Sequence, residues 1–345
     1  MTQISIILVA YNNARTVRDS LESIIAQENA DVPLECIVVD DCSTDDTLAI
    51  IRRTVGGYEG SIKFRIFRHQ TCHGLSRARN TGLTRAEGEY VLFVRANDVL
   101  RPGCIDAYMV ALMRHWGTDV IAGNSFHVKM RGTLFEPQAS TMAIRGRGDV
   151  ILHEMLHSHL YLYAWNKLIR RELLSQANVQ FDDAEGYADV DWAFTLFNNV
   201  SSVVRLPQET YEHRCRDLVS MGMKEKFINS LLASYAATID NRLNQSPRPE
   251  SSDGGYYQSH QLFLYGMLTH AQRLMEEYNV NSQVRRELTH VRQRLLSQTK
   301  SDGQKILSLY FLQDGSILSS IIKRPIFKRY SEIVNEVVAH LDQLV

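Results

Sequence analysis

The stretch ISIILVAYNN, residues 4–13, is an apolar run that ends abruptly at a tyrosine and two asparagines, and it is the clearest indication of the fold. Apolar runs of about four to eight residues between turn-forming residues are typical of strands buried in a parallel sheet. Residues 34–40, 64–69 and 90–94 repeat the pattern. Because helically spaced apolar residues lie between these runs, the sequence predicts an α/β fold with a mostly parallel sheet.

The segments between the strands carry the spacing and the end signals of helices. In the first of them one face collects the apolar residues Val17, Leu21, Ile24 and Ile25. Residues 43–46, Ser-Thr-Asp-Asp, supply N-cap chemistry for a second helix. Further helices are predicted over 76–86 and from Pro102, and a further strand over 119–123.

The last third of the chain has a different pattern. After Arg216 the apolar residues recur at helical spacing over long distances, which predicts a helical C-terminal region. Residues 245–255, QSPRPESSDGG, interrupt this pattern with the composition of a linker.

Charge and composition are those of an ordinary globular protein. The 345 residues are 44% hydrophobic, and 38 Lys and Arg nearly balance 39 Asp and Glu. Because nucleic-acid binders carry a strong basic excess, this balance argues against a nucleic-acid partner. Any anionic ligand is therefore expected to be held by local groups.

Cysteine usage and the apolar runs favour a cytoplasmic location. The five cysteines are scattered and form no C-x-x-C pair; they are Cys36, Cys42, Cys72, Cys104 and Cys215. Eighteen apolar residues in a row occur nowhere, and the N-terminus lacks the basic region and cleavage site of a signal peptide. We therefore expect neither a membrane span nor a visible export signal.

Polar residues follow three of the predicted strands at the point where each strand ends. They are Tyr11–Asn13, Asp40–Asp41 and Arg95–Asp98. In open α/β sheets ligands bind beyond the carboxyl ends of the strands. Taken alone, however, an aspartate at a strand end is more often a turn or helix cap.

Phosphate-binding signatures narrow the choice of ligand. The chain contains no G-x-x-x-x-G-K-[ST] loop, and no G-x-G-x-x-G follows the first strand, which argues against an ordinary nucleoside triphosphatase or dinucleotide enzyme. Residues 74–83 instead place two arginines, Arg77 and Arg79, at a helix start, where N–H groups and guanidinium donors favour an anion. A solvated basic helix is the alternative.

Four segments in this order resemble the inverting family 2 glycosyltransferases of the GT-A fold, a Rossmann-like fold of nucleotide-diphospho-sugar transferases. They are residues 6–12, 38–45, 74–83 and 86–93. The resemblance implies a UDP-linked sugar donor and assigns donor-binding roles to Ala10, Tyr11, Asn12, Asp40, Asp41 and Arg79. Arg95 and Asn97, which stand where the family carries acidic residues, are added as donor-binding candidates.

The residues after the fourth strand depart from the pattern of that family. The family shows Asp-x-Asp-Asp, whereas this chain has Arg95-Ala96-Asn97-Asp98. One alternative is that Asp98 still binds a divalent metal, Mn²⁺ or Mg²⁺. A second is that Arg95 neutralises the donor diphosphate directly. In a third, donor activation is lost and the chain only binds; we favour an enzyme whose metal requirement is weakened or absent.

The resemblance continues more thinly to about residue 220. Residues 164–171, AWNKLIRR, are similar to a Trp-x-Lys-Leu-x-Arg-Arg segment of bacterial polysaccharide enzymes. By resemblance Asp189 is the catalytic base, although Ala188 replaces the usual glutamate, and Asp191 is its local competitor. A base is required because the attacking hydroxyl must lose its proton. The resemblance also places basic residues near the diphosphate, at His213, Arg214 and Arg216.

These patterns together predict three regions and a function. Residues 1–110 are expected to form the nucleotide-sugar-binding half, 111–220 the acceptor-side half and 221–345 a helical C-terminal region. The predicted partners are a nucleotide-sugar and a glycan or lipid-linked acceptor in bacterial surface polysaccharide or lipopolysaccharide synthesis. The basic and apolar segment 321–330 suggests peripheral contact with the inner face of a membrane, although a solvated loop explains it equally well.

A zinc peptidase is the rival from a different class. His153, Glu154 and His157 fit H-E-x-x-H, which on a helix would place two imidazoles on one face. The extended form of the motif fails, because Leu160 and Tyr163 stand where glycine and histidine are needed. A short pattern arises readily by chance in a chain with 12 histidines, so the glycosyltransferase interpretation is favoured.

Overall fold

The protein is described by a computed structural model. It describes residues 3–28, 31–128, 132–133, 140–146, 151, 163–176, 179–181, 188–214, 224–245, 254–297, 332–335, 337–339 and 341. The chain divides into two compact units. The first comprises residues 1–147, 163–183 and 191–216, and the second comprises 148–162, 184–190 and 217–345.

Ten strands among the described residues form one sheet of the first unit. They are β1 (Ile4–Ala10), β2 (Leu34–Asp40), β3 (Lys63–Arg68), β4 (Tyr90–Arg95), β5 (Val99–Leu100), β6 (Val120–His127), β7 (Gly132–Thr133), β8 (Met142–Arg145), β9 (Lys167–Arg170) and β10 (Ser202–His213). The strand order is β3-β2-β1-β4-β9-β6-β10-β5, with β7 on β6 and β8 on β10.

Nine helices lie in the described parts of the chain. They are α1 (Val17–Ile25), α2 (Thr47–Gly56), α3 (Gly74–Arg85), α4 (Cys104–Arg114), α5 (Arg171–Gln176), α6 (Ala188–Asn199), α7 (Lys224–Gln245), α8 (Gly254–Glu277) and α9 (Ser282–Ser297). The predicted α/β class with a mostly parallel sheet and a helical C-terminal region is confirmed. The three-region division of the chain stays a prediction.

The first four strands form the parallel half of the sheet. β1 pairs with β2 and with β4, and β2 pairs with β3, all in parallel. Every residue of β1 and of β2 is buried, which explains why these strands read as continuous apolar runs. Their carboxyl ends therefore meet at one edge, where Ala10 pairs with Asp40 and Val9 pairs with Arg95.

The second half of the sheet is mixed. β9 lies antiparallel between β4 and β6, and β10 pairs in parallel with β6 but antiparallel with β5. The pairing of β10 with β5 sets Tyr211 opposite Leu100 and Glu212 opposite Val99. The end of β10 is thereby brought beside the turn that follows β4.

A buried asparagine joins the strands of the second half. Asn166 has a positive φ of 58°, and its amide donates to the carbonyls of Gly123 and Asn124. Its Oδ1 accepts hydrogen bonds from Tyr108 Oη and Thr210 Oγ1 at 2.9 and 2.6 Å. Because all its polar atoms are satisfied inside the core, the side chain fixes β9 against β6 and β10.

The element ends differ from the predicted ones in informative places. The predicted N-cap over 43–46 acts through Asp45, whose Oδ1 accepts from the Thr47 N–H at 3.0 Å. Its Oδ2 accepts from the Ala14 N–H at 3.1 Å, so one carboxylate ties α2 to the turn after β1. The strand predicted over 119–123 continues to His127, because its last residues form hydrogen bonds with β10. The local sequence does not predict this pairing.

The second unit is helical where it is described. α7, α8 and α9 pack through apolar side chains, and Tyr235 Oη lies 3.0 Å from His270 Nδ1 within that packing. No helix in the described part of the chain has the length and the apolar content that a membrane crossing requires. The H-E-x-x-H pattern at 153–157, the proline-containing linker residues 246–253 and the basic segment 321–330 lie outside the described residues.

Candidate functional site

The three predicted polar turns come together at the carboxyl edge of the parallel strands. The Asp41 N–H donates to the Ala10 carbonyl at 2.8 Å, and the Ala96 N–H donates to the Val9 carbonyl at 3.2 Å. The turns after β2, β1 and β4 therefore lie side by side. This is the edge at which open α/β sheets bind ligands.

Asp40 is a buried carboxylate with an unusual environment. Its side chain is 0% exposed, and neither oxygen accepts a hydrogen bond from any residue that the structure describes. The guanidinium of Arg68 lies 3.4 Å from Oδ2, which offsets part of the charge without hydrogen-bond geometry. A buried acceptor that lacks a donor costs about 1 to 3 kcal/mol, and more when it is charged. A ligand N–H would relieve that cost.

Asp41 has the opposite environment. Its carboxylate accepts the backbone N–H groups of His73 and Gly74 at 3.0 and 2.8 Å, and His69 Nδ1 lies 2.7 Å from Oδ1. Gly74 has a positive φ of 85°, which glycine adopts without strain. Asp41 therefore holds the start of α3 against the end of β2. Its predicted contact with the donor stays a prediction.

Asn12 locks the turn after β1 to the turn after β2. It has a φ of 51°, its Oδ1 accepts the Thr44 N–H at 2.9 Å, and its own N–H donates to Ser43 Oγ at 3.0 Å. The asparagine thus shapes the edge through its backbone conformation. Its neighbour Tyr11 is 42% exposed, which leaves an aromatic face at the rim of the site.

Two thiols lie beside Tyr11 at this rim. Cys72 Sγ lies 3.6 Å from the Cys42 carbonyl, and Cys42 has a φ of 61°. A hydrogen bond with Cys72 raises the pKa of the Tyr11 phenol, and nearby thiols and Asp41 raise it further. The sequence analysis did not include these cysteines in the site, because the register of two separate loops brings them there.

The Ala78-Arg79-Asn80 segment is largely structural. Arg79 is 3% exposed and its guanidinium lies 4.8 Å from the centroid of the Phe181 ring. The Asn80 side chain pairs with both backbone groups of Phe181, at 2.8 and 3.0 Å. These contacts attach residues 179–181 to α3. The predicted contact of Arg79 with the diphosphate stays a prediction.

Asp98 is fully buried and surrounded by donors. Oδ2 accepts from Tyr211 Oη at 2.8 Å, Oδ1 accepts from the Arg214 N–H at 2.9 Å, and His213 Nδ1 lies 3.2 Å from both oxygens. Burial alone would raise the pKa of the Asp98 carboxyl, but the charge and hydrogen bond of His213, with Arg95 and the Arg214 N–H, lower it below its ordinary value. The carboxylate is thus stabilised as an anion by the protein itself.

Asn97 and Arg95 complete this group. The Asn97 amide donates to Asp98 Oδ1 at 3.2 Å and to the carbonyl of Arg214. The Arg95 side chain is 24% exposed, and its Nε lies 3.9 Å from Asp98 Oδ2. Asn97 is only 6% exposed, so it joins two segments and presents little surface to a ligand.

The group formed by Arg95, Asn97 and Asp98 does not fit a divalent metal ion. Mg²⁺ and Mn²⁺ prefer oxygen ligands with lone pairs directed at the ion. Hydrogen bonds from Tyr211, Arg214 and Asn97 already occupy both Asp98 oxygens. Within the described residues no group of three or more His, Cys, Asp or Glu side chains is arranged to hold a metal. The structure therefore gives no support to the prediction that Asp98 binds a metal.

An aromatic wall supports the same end of β10. The Trp165 ring stacks on Tyr163 at 4.7 Å and on Tyr211 and His213 at 4.8 and 4.9 Å between centroids. The His127 ring lies 4.9 Å from that of His213. Burial, and then the charge of His213, lower the pKa of His127 to about 4. The sequence did not predict that Tyr211 or His127 belongs to this region. Each contacts a residue that is distant along the chain, Asp98 for Tyr211 and His213 for His127.

The predicted base lies at the start of α6. Asp189 is 5% exposed and occupies the first turn of that helix, while Asp191 is partly exposed. A carboxylate in a first helical turn is stabilised by the helix dipole. The catalytic role of Asp189 stays a prediction.

The fold and the edge residues define an α/β protein whose candidate ligand site lies beyond the carboxyl ends of β2, β1 and β4. The chain belongs to glycosyl transferase family 2, because residues 5–177 match the sequence profile of that family.

Individual relatives agree with this assignment. The poly(ribitol-phosphate) β-N-acetylglucosaminyltransferase TarS of Staphylococcus aureus is 27% identical over 215 residues, which are 61% of this chain and 35% of TarS. The chain thus spans about a third of the length of that relative. The uncharacterized glycosyltransferase EpsJ of Bacillus subtilis is 26% identical over 242 residues, 68% of each protein.

Solved structures share the fold. A crystal structure of S. aureus TarS residues 1–349 in complex with UDP-GlcNAc has a TM-score of 0.65 at 19% identity, covering 99% of this chain and 92% of that one. The mannosyltransferase PcManGT of Pyrobaculum calidifontis, in complex with GDP-Man and Mn²⁺, has a TM-score of 0.57 at 12% identity, covering 99% and 87%. The GT-A architecture expected from the sequence is confirmed by the match to TarS.

Proposed function

We propose that this family 2 glycosyltransferase transfers a sugar from a UDP-linked donor to a hydroxyl of a glycan or lipid-linked acceptor, with inversion at the anomeric carbon. The observation that carries the proposal is Asp40. It is a fully buried carboxylate that accepts no hydrogen bond from the described residues, and it lies at the same edge of the sheet as the partly exposed Tyr11.

The chemistry of Asp40 selects among nucleobases. A carboxylate only accepts hydrogen bonds, so it pairs with the imide N–H of uracil or with the N–H groups of guanine. Cytosine and adenine present a ring nitrogen lone pair at the equivalent place, which a carboxylate repels. UDP is favoured over GDP because the crystallised relative TarS binds UDP-GlcNAc.

The proposed reaction needs one base and one anion-binding group. Asp189 removes the proton of the acceptor hydroxyl as its oxygen attacks the anomeric carbon, and the diphosphate leaves from the opposite face with the electron pair of the broken bond. A positioned base contributes about 10² to 10⁴ in rate. Neither Asp40 nor Asp98 is assigned to this step, because Asp40 is proposed to bind the nucleobase and the oxygens of Asp98 already accept hydrogen bonds from Tyr211, Arg214 and Asn97.

The acceptor is proposed from the relatives alone. TarS modifies a poly(ribitol-phosphate), which supports a role for this chain in bacterial surface polysaccharide or lipopolysaccharide synthesis. A cytoplasmic location with peripheral contact at the inner membrane face remains part of the proposal.

Calorimetric titration with UDP, GDP, CDP and ADP tests the nucleotide assignment. We expect UDP to bind and CDP and ADP to bind at least about tenfold more weakly, because a buried acceptor rejects ligands that cannot donate to it. Similar affinities for all four nucleotides would contradict the assignment of Asp40. If GDP binds most strongly, the assignment of Asp40 to the nucleobase stands, but the donor is a GDP-linked sugar.

Transfer itself is measured with UDP-GlcNAc and bacterial glycan extracts. We expect release of UDP that depends on the acceptor, and proton NMR coupling constants of the product that show the anomeric configuration opposite to that of the donor. Binding of UDP without turnover of any UDP-sugar would leave a nucleotide-sugar-binding protein, the alternative that the altered Arg95–Asp98 segment raises. Retention of configuration would overturn the inverting mechanism.

A further inference from the structure

The Asp98 carboxylate is built as the centre of a protein hydrogen-bond network. A carboxylate offers about four lone-pair directions. Tyr211 Oη, the Arg214 N–H, the Asn97 amide and His213 Nδ1 all lie between 2.8 and 3.2 Å from its oxygens. A metal ion would have to displace these donors from a side chain that is 0% exposed.

The same network positions Arg95. Tyr211 Oη accepts the backbone N–H of Arg95 at 3.3 Å while it donates to Asp98 Oδ2, so one hydroxyl connects the Arg95 backbone to the carboxylate. The Arg95 guanidinium forms an ion pair with the same carboxylate, with Nε 3.9 Å from Oδ2, and it remains partly exposed. A cation at this place repels a divalent cation and attracts a diphosphate.

The spacing of the strands places Arg95 where a diphosphate is needed. Asp40 ends β2, Arg95 ends β4, and β1 lies between them, with Ala10 opposite Asp40 and Val9 opposite Arg95. Two strand spacings are about 10 Å. That distance is comparable with the one that a ribose puts between a base and its diphosphate, so the phosphates of a nucleotide whose base contacts Asp40 are able to reach Arg95.

We propose that the chain binds the diphosphate of its donor through Arg95 without a divalent cation, and that Asp98 is a positioning residue for Arg95 rather than a metal ligand. This inference rests on the proposed function, because it concerns the diphosphate of the same donor. In the resembling family an aspartate stands at the position of Arg95, so the chain exchanges a metal-binding carboxylate for a cation of its own.

The first experiment separates the inference from the proposed function. The affinity of the full chain for UDP is measured by calorimetry in excess EDTA, in MgCl₂ and in MnCl₂. We expect the three dissociation constants to agree within about twofold, equivalent to roughly 0.4 kcal/mol. Binding that needs Mn²⁺ or Mg²⁺ would overturn metal independence and leave the proposed function standing. Failure to bind UDP under all three conditions would overturn both.

Electron paramagnetic resonance measures Mn²⁺ binding directly and does not depend on the affinity for UDP measured by calorimetry. The signal of free Mn²⁺ is recorded with UDP alone and again after the protein is added. We expect the protein to remove no more Mn²⁺ than UDP itself binds. A stoichiometric loss of the free signal in the ternary mixture would contradict the inference.

Arg95→Gln tests the cation directly. We expect the affinity for UDP to fall about tenfold or more and the affinity for uridine, which lacks the diphosphate, to stay unchanged. Arg53→Gln, on the exposed face at the end of α2, is the matched control and should change neither affinity. Equal loss of UDP and uridine binding in Arg95→Gln would show a general defect and overturn the assignment.

Tyr211→Phe and Asp98→Asn test the positioning role. Both should weaken UDP binding by the same factor in EDTA and in MnCl₂, with uridine binding retained. If Asp98 were a metal ligand, Asp98→Asn would weaken UDP binding in MnCl₂ and leave UDP binding in EDTA unchanged. If Asp98→Asn fails to fold, the conservative Tyr211→Phe still decides, since unchanged UDP affinity in that variant would remove the proposed link from Asp98 to Arg95.

Discussion

Asp40 and Asp98 invite comparison, because both are fully buried aspartates at the carboxyl edge of the parallel strands. Asp40 is the last residue of β2, and Asp98 lies in the turn after β4. Asp40 accepts no hydrogen bond from the described part of the chain, whereas Asp98 accepts them from the side chains and backbone of four residues. The supply of hydrogen-bond donors therefore distinguishes Asp98, which the protein itself satisfies, from Asp40, which we propose as a ligand contact.

The difference has a topological cause. The turn of Asp98 lies against β10, because the antiparallel pairing of β10 with β5 brings Tyr211 and its neighbours over it. Asp40 ends β2, whose outer neighbour is the edge strand β3, and the cation that reaches it is Arg68 from that strand. The mixed half of the sheet thus supplies donors to Asp98, whereas the described residues of the parallel half supply none to Asp40.

The largest effect is expected from a third aspartate, Asp189, because we assign the proton transfer to it and assign other roles to Asp40 and Asp98. Asp189→Asn should lower the transfer rate by about 10² to 10⁴ and leave UDP affinity unchanged, because the base contacts the acceptor hydroxyl. Initial rates and calorimetry on the same preparation measure the two quantities. The matched variant Asp191→Asn should keep its rate. If it is the one that loses activity, the base has been assigned to the wrong aspartate.

Asp98→Ala should reduce the free energy of unfolding by about 3 kcal/mol or more, measured by urea titration with UDP absent. The substitution leaves the Tyr211 hydroxyl, the Arg214 N–H and the His213 ring buried without their acceptor. A loss no larger than that of a surface aspartate such as Asp106 replaced by alanine would break the comparison. It would mean that the hydrogen bonds of Asp98 contribute little to the free energy of unfolding.

Asp40→Asn should act on binding and not on folding. The affinity for UDP should fall about 10- to 100-fold, as expected for a lost hydrogen bond of about 1.5 to 3 kcal/mol to a charged group. The free energy of unfolding should stay equal or rise, because the amide is cheaper to bury than the carboxylate. Calorimetry and urea titration measure the pair.

The neighbouring substitution Asp41→Asn is its control. It should destabilise the fold, because Asp41 holds the N–H groups of His73 and Gly74. An Asp40→Asn protein that is less stable than Asp41→Asn would reverse the roles that we assign to the two residues.

The smallest effect concerns pH. In the folded protein burial lowers the pKa of His127 to about 4 from its ordinary value of 6.5. Protonation therefore favours the unfolded chain, so the stability due to the neutral ring is present above pH 6.5 and is lost as the pH falls toward 4. The full shift corresponds to about 3 kcal/mol at 1.36 kcal/mol per pKa unit, and solvent screening of the ring reduces the expected loss across this window to about 2 kcal/mol or less. The pKa of Asp98 is lowered instead, so its contribution is lost only at more acidic pH.

Urea titrations at several pH values check the origin of this slope. The variant His127→Gln keeps a polar group near Ser125 Oγ and should show a flatter dependence between pH 6.5 and 4. A slope that the substitution does not change would assign the effect to other histidines.

Much of the parallel half was predictable, because its strands are buried on both faces and its helices carry an apolar stripe. β1 and β2 begin and end where the apolar runs do, and Val17, Leu21 and Ile24 are buried as the helical spacing predicts. The mixed half was less predictable. β6 extends beyond its apolar run, and the Trp165–Lys167 segment is organised by Asn166, whose partners Tyr108 and Thr210 are remote in sequence.

The α/β class was predictable from the sequence, as were the resemblance to glycosyltransferases and the edge of the sheet where polar residues collect. Apolar periodicity and the residues at strand ends are local properties, so they can be read directly along the chain. Which polar side chains already have hydrogen-bond partners became visible only in the folded protein. Three of the four donors of Asp98, namely Tyr211, His213 and Arg214, lie more than a hundred positions away, and their approach depends on a strand register that no local pattern contains.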